Sequence, residues 1–161
     1  MTMTKKQAKA IHGGLTATTK MPCLSYSLPT IACKTGFRMS AIAGSICASC
    51  YADKGNYKKY ENGILPSQMA RLESISDPLW VDAMVTSIGA DKYFRWHDSG
   101  DIQSPEHLSN IVQIAKNLPN IMFWLPTREV AIVKQFLAEN SFPRNLTVRV
   151  SAAMIGREPE R

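Results

Sequence analysis

The chain has 161 residues and a formal net charge of +6, with 45% hydrophobic and 20% charged residues. That length suits one domain able to bury a core without disulfide staples, and the composition excludes a disordered chain. No apolar run approaches the roughly 20 residues that span a bilayer, and the basic opening Met1–His12 has no apolar stretch behind it, so neither a membrane protein nor a secretory leader is expected.

A cytoplasmic location follows, and with it reduced thiols. The positive charge would suit an anionic partner such as nucleic acid or a phosphorylated small molecule. Its densest clusters, Lys5, Lys6 and Lys9 and then Lys54, Lys58 and Lys59, read as solvated surface.

Along the chain, the first sixty residues are punctuated by Gly13, Gly14, Pro22, Pro29, Gly36, Gly44 and Gly55, hold all four cysteines and show little periodicity. A loop region of that length inside a domain needs something to organise it, and bonds to a shared metal centre would do so. From about Leu65 the pattern turns regular. Val81, Met84, Val85 and Ile88 fall at helical spacing behind Asp77 and Pro78, a cap followed by proline. Lys92–Trp96 is short and aromatic, a strand. Ser104, Pro105 and Glu106 open a second helix with Leu108, Ile111, Val112, Ala115 and Leu118 on one stripe. Asn120–Leu125 reads as a buried strand, Thr127 caps a third helix carrying Val130, Val133, Phe136 and Leu137, and Asn145–Val150 is a last strand.

Strands joined through single helices must lie parallel. The expected fold class is therefore α/β, a parallel βαβαβ sheet or partial barrel preceded by an irregular cysteine-bearing region. A single domain is expected over 1–161, with 1–60 as the loop region and 61–161 as the βα units.

Chemistry in such sheets gathers at the C-terminal ends of the strands. Those ends are His97–Asp101, Pro126–Glu129 and Ser151–Met154. His97, Asp98 and Asp101 could bind a cation or move a proton; equally, the carboxylates could accept from turn amides. Arg128 could take a carboxylate or phosphate on its guanidinium fork, or pair with Glu129 or Asp101. His12 and His107 read as surface positions.

Among the cysteines, Cys47 and Cys50 form a C-x-x-C, Cys33 precedes them with Gly36 and Gly44 between, and Cys23 is a candidate fourth ligand. An iron–sulfur cluster, a structural zinc and a thioredoxin-type pair are all compatible with thiols so spaced. The last fits least, since no strand is read ahead of Ile46. Spacing leaves iron–sulfur and zinc level.

Several strings resemble the phage gene-product-88 family: Lys20–Pro22, Ser25–Pro29, Cys33–Gly36, Gly44–Ala52, Gly55–Tyr57, Phe94–Asp101 and Phe123–Glu129. The resemblance runs to the strand ending at Ser151 and implies a phage-encoded protein, sited in the host cytoplasm, with a cysteine-bound iron–sulfur centre of the four-iron type. It makes Cys33, Cys47 and Cys50 the core ligands and Cys23 an optional one. Fuller members continue into a further cysteine-rich stretch, so contacts from that stretch are not expected here. A looser similarity, to radical S-adenosylmethionine enzymes, rests on a three-cysteine loop ahead of βα units and on Ser99, Gly100 and Asp101 after a strand. It implies a redox or radical enzyme in which His97, Ser99, Gly100, Asp101 and Arg128 hold a small anionic or zwitterionic ligand such as S-adenosylmethionine. The alternative is a non-enzymatic iron–sulfur or zinc protein, structural or regulatory, that binds nucleic acid or a host protein.

Overall fold

Strand order in the sheet follows chain order. The computed structural model describes residues 3–89 and 91–159. Five strands, β1 (Thr16–Ala17), β2 (Leu24–Tyr26), β3 (Tyr93–Trp96), β4 (Met122–Thr127) and β5 (Leu146–Val150), lie side by side in that sequence. β1 runs antiparallel to β2, and all other neighbours are parallel. The helices are α1 (Lys5–His12), α2 (Lys34–Ser40), α3 (Gly55–Lys59), α4 (Glu61–Ser74), α5 (Trp80–Ile88), α6 (Pro105–Asn117) and α7 (Val130–Glu139).

The expected βαβαβ unit is β3 through β5, with the expected helix α5 ahead of it. Ser104 starts α6 as read, its Oγ accepting from His107 N at 3.1 Å with Pro105 in the first turn. Asp77 and Thr127 are not the caps expected: the N-caps of α5 and α7 are Leu79 and Glu129, and Asp77 Oδ1 and Thr127 Oγ1 accept from the N–H groups of those residues in the turns just ahead, at 2.8 and 3.0 Å. β2 was not legible, being three residues long with no room for alternation. Its register against β3 pairs Leu24 with Phe94 and Tyr26 with Trp96.

Side-chain alternation splits the sheet into two unlike faces. Phe94, Trp96, Phe123, Leu125 and Leu146 face the helices and are buried with Trp80, Met84, Ile111 and Ile114. The aromatic members meet edge to face, Phe94 on Trp96 at 5.0 Å and Tyr26 on Trp80 at 5.8 Å between centroids, a geometry that adds about 0.5–1.5 kcal/mol per pair beyond area burial. On the opposite face, Tyr93, Met122, Trp124, Thr147 and Arg149 are exposed.

His12 and His107, read as surface, are buried. His12 Nε2 sits 2.7 Å from Ser87 Oγ, and its Nδ1 accepts from Gly14 N. His107 lies edge-on to Trp80 at 5.4 Å, and burial lowers its pKa to about 3. A lone polar residue in an otherwise polar stretch carries no burial signal, so only the fold could place them.

Asn145 ties the α6–β4 connection. Its Nδ2 lies 2.9, 3.0 and 2.9 Å from the carbonyls of Ala115, Leu118 and Ile121. In Asn145→Ala the carbonyls of Ala115 and Leu118 keep backbone donors at Leu118 N and Ile121 N, so the loss falls mainly on Ile121 O and should cost about 1–3 kcal/mol, read as a lower urea midpoint at unchanged m-value.

Candidate functional site

The site is built where the loops leaving β2, β3 and β4 meet. Leu28, after β2, donates its N–H to Ser99 O at 2.8 Å and accepts from Ser99 Oγ at 2.9 Å. Gly100 is required beside this lock. Its φ is +84°, and a Cβ there would lie 2.5 Å from Leu28 Cβ. Asp101 fastens β3 to β4: its Oδ1 accepts from Thr127 Oγ1 at 2.6 Å and Ile102 N at 2.8 Å, and its Oδ2 from Arg128 N at 2.8 Å.

The cysteine segment is stapled onto these loops by side chains of the sheet. Cys33 is the N-cap of α2, and two residues later Thr35 donates its N–H (2.8 Å) and hydroxyl (2.9 Å) to the Glu129 carboxylate. Thr30 Oγ1 donates to Asp53 Oδ1 at 2.5 Å, Tyr57 donates to Asp98 Oδ2 at 2.6 Å, and the Tyr51 hydroxyl donates to the Asp98 carbonyl. From the other side the chain beyond β5 clasps the C-x-x-C turn. Ser45 bridges Met154, Ile46 N donates to Ala153 O at 3.2 Å, and Ile155 N donates to Gly44 O at 3.0 Å. Below, Arg71 of α4 donates to Gly14 O at 2.9 Å and Ser27 Oγ at 2.6 Å. The segment read as irregular thus contains short helices and draws much of its order from protein–protein bonds.

Together these elements enclose a cavity of about 400 Å³ lined by Cys33, Cys47 and Cys50. His97, Ser99, Gly100, Asp101 and Arg128 line it as well, so the structure brings every predicted cofactor-binding residue to the three cysteines. It does not bring Cys23. That residue precedes β2 beside Asp91, Lys92 and Tyr93, at the start of the parallel strands, whereas the other three cysteines gather past their ends. The expected four-cysteine set is accordingly divided, and the register of β2 is the reason.

Cys33 and Cys47 share one electrostatic problem. Burial pushes Cys33 up to about 12, and Asp101, Cys50 and Cys47 oppose its ionisation further. Burial also raises Cys47, with Arg128 acting against it. Gly36 leaves space between two of them: a Cβ there would stand 3.2 Å from Cys33 Cβ and 3.5 Å from Cys47 Sγ. Among the described residues no three His, Cys, Asp or Glu side chains converge closely enough to hold one metal ion.

The polar residues divide by role. Ser99 and Asp101 spend their side-chain oxygens on Leu28, Thr127 and backbone amides, and Gly100 packs on Leu28; these shape the floor of the cavity. Of the two carboxylates that could accept from turn amides, Asp101 does so, and Asp98 Oδ2 accepts from Tyr57 instead. Arg128 pairs with neither Glu129 nor Asp101 through its guanidinium, which donates to Ala152 O at 2.5 Å. His97 is buried edge-on to His107 at 5.4 Å, carries a φ of +56°, and has no hydrogen-bond partner at either ring nitrogen. Burial, then His107 and Arg95, holds its pKa well below the usual histidine range, so it is neutral at pH 7. Sequence reading missed Thr35, Tyr51 and Asp53 as builders and gave Glu129 another partner. Tyr51, next to Cys50, and Glu129, at a strand end, carried a signal.

Asp101 also marks the pH response of the site. Burial raises its pKa from 3.8 to about 6, although hydrogen bonds from Thr127, Arg128 and Ile102 pull it down. A carboxyl whose folded pKa exceeds its unfolded value binds more protons folded, so its contribution to stability declines as pH rises from about 4 to about 6. Denaturation midpoints across that interval should show this slope in the natural chain and lose it in Asp101→Asn.

Residues 1–159 match a family model described as Gene product 88. No curated protein matches the chain, and no solved structure does.

Proposed function

We propose that this chain, which belongs to the phage gene-product-88 family, is an iron–sulfur protein that holds its cluster on Cys33, Cys47 and Cys50. The observation that carries the reading is the lining of three cysteines round one cavity at the strand ends, next to Arg128 and across the gap kept open by Gly36. Cys33 and Cys47, raised by burial and by neighbouring thiols, are poor anions alone, and a cationic iron core would take the place of their protons. The irons of a four-iron cube stand at separate corners, so its thiolates surround a cavity, whereas tetrahedral zinc gathers its ligands to one point about 2.3 Å from each sulfur. The donor set fits the cluster better on that ground.

With three cysteines, one iron would be left for a further ligand. Arg128, whose charge already acts on Cys47, would orient an anionic or zwitterionic molecule there, with S-adenosylmethionine as the compound to try. When bound, the cluster would supply an electron to that ligand. Ser99, Gly100 and Asp101 serve this reading by fixing the floor.

The test is anaerobic purification with iron, sulfide and zinc analysis. Brown protein with iron and sulfide in matching amounts is expected; colourless protein with stoichiometric zinc overturns the reading. In reduced protein, a change of the cluster's spin resonance on adding S-adenosylmethionine, absent in Arg128→Ala, would support the ligand assignment, and no change would remove it.

A further inference from the structure

A parallel sheet is usually covered on both faces, yet here the face opposite the helices is open. Its surface alternates aromatic and basic groups. Register places Arg95, Trp124 and Thr147 in one row, Tyr93 beside Met122, and Arg149 beside Pro126. Tyr93, Met122 and Trp124 are 44%, 45% and 43% exposed. The Arg95 guanidinium stacks 4.8 Å from the Trp124 ring centroid, and Lys92 Nζ lies 5.3 Å from that of Tyr93. None of the five strands contains an acidic residue.

That composition discriminates among occupants. A covering helix or a second copy of this face would bury Arg95 and Arg149 with no carboxylate from the sheet to meet them, and two copies would set like charges against each other. A chain of planar rings strung on phosphates suits it: the rings stack on aromatic side chains while the phosphates meet the arginines. We infer that the open sheet face, with Trp124 and Tyr93 as platforms and Arg95, Arg149 and Lys92 as phosphate contacts, binds single-stranded nucleic acid. Arg95 also lines the cysteine cavity, where its Nη2 donates to Tyr51 at 3.3 Å. A strand on this face would therefore run towards the cavity mouth. The inference does not depend on the cluster, since it stands on the sheet alone.

Trp124 is its own reporter, because Trp80 and Trp96 are fully buried. The full chain is titrated with oligothymidylate and oligouridylate of about twelve nucleotides, within the usual footprint of such surfaces, following tryptophan emission and the anisotropy of a labelled strand. Saturable quenching is expected, with affinity falling as salt rises at a log–log slope of about −2 for three contacts. Trp124→Ala should weaken binding roughly five- to a hundredfold, and Arg149→Glu should weaken it and flatten the salt slope, both with unchanged far-ultraviolet dichroism. Several outcomes overturn the inference: no binding; affinity unaltered in both variants; polyglutamate competing as well as the oligonucleotide; anionic vesicles binding where the oligonucleotide does not; or Trp124 shielded from iodide in the free protein with concentration-dependent sedimentation, which would place a second copy on the face.

Discussion

On the cluster proposed above, serine in place of Cys33, Cys47 or Cys50, one at a time, will remove the visible absorbance of the anaerobically purified protein and bring iron and sulfide to background, while Cys23→Ser will keep both. Each of the three lines the same cavity, and Cys23 lines another. A serine oxygen is a hard donor that gives up its proton far less readily than a thiol, so the loss should exceed the roughly 10- to 100-fold that removal of an outer-shell partner costs. The Cys33 change should be the most severe for the fold as well. Burial pushes its thiol up to about 12, and its residue caps α2, which Glu129 fixes to the sheet through Thr35. Retention of full iron and sulfide in any of the three variants, or loss in Cys23→Ser, would refute the ligand set.

Gly100→Ala will destabilise the chain by about 2–5 kcal/mol, a large part of the 5–15 kcal/mol that holds a typical domain together. Two costs add. The left-handed backbone disfavours a side chain by about 1–2 kcal/mol, and the new methyl must displace Leu28, whose Cβ is 2.5 Å away and whose carbonyl is 2.9 Å away; such overpacking costs about 1–3 kcal/mol. Gly156→Ala separates the two. Its φ is +76°, but nothing lies within 4 Å of the added carbon, so only the smaller cost should appear. Urea midpoints of the two variants at equal m-value provide the comparison. Since Leu28 is locked to Ser99, the shift should also reach the cavity and lower its iron content in Gly100→Ala alone.

How much of this could be read from the sequence depends on what kind of bond made each part. The units from α5 to β5 were legible because burial of one face leaves a period in the residues, as Leu108, Ile111 and Ala115 show. α1 left none. Its eight residues are mostly polar, and it is held by a capping box between Thr4 and Gln7 and by Gly13 at its end. The strand-end rule located His97, Ser99, Gly100, Asp101 and Arg128 correctly at one cavity. It could not tell which would face a ligand and which would be consumed in holding loops together, because that depends on partners such as Leu28 and Thr127 lying 26 to 71 residues away in the chain. Glu129 shows the same limit. Beside Arg128 it reads as half of an ion pair, and the fold aims it at Thr35 instead.

The clasp between residues beyond β5 and the C-x-x-C turn has a temporal meaning. During synthesis the cysteines emerge about a hundred residues before the segment that fixes their turn, Ala153 to Ile155. Closing so long a loop carries an entropic cost that is repaid only when the final strand is seated. In a chain shortened to end before Ser151, Cys47 and Cys50 should react with an alkylating reagent faster than in the full chain; equal rates would contradict this order of events. Closure of the C-x-x-C turn thus waits on the docking of a segment far along the chain, which contacts near the cysteines cannot replace.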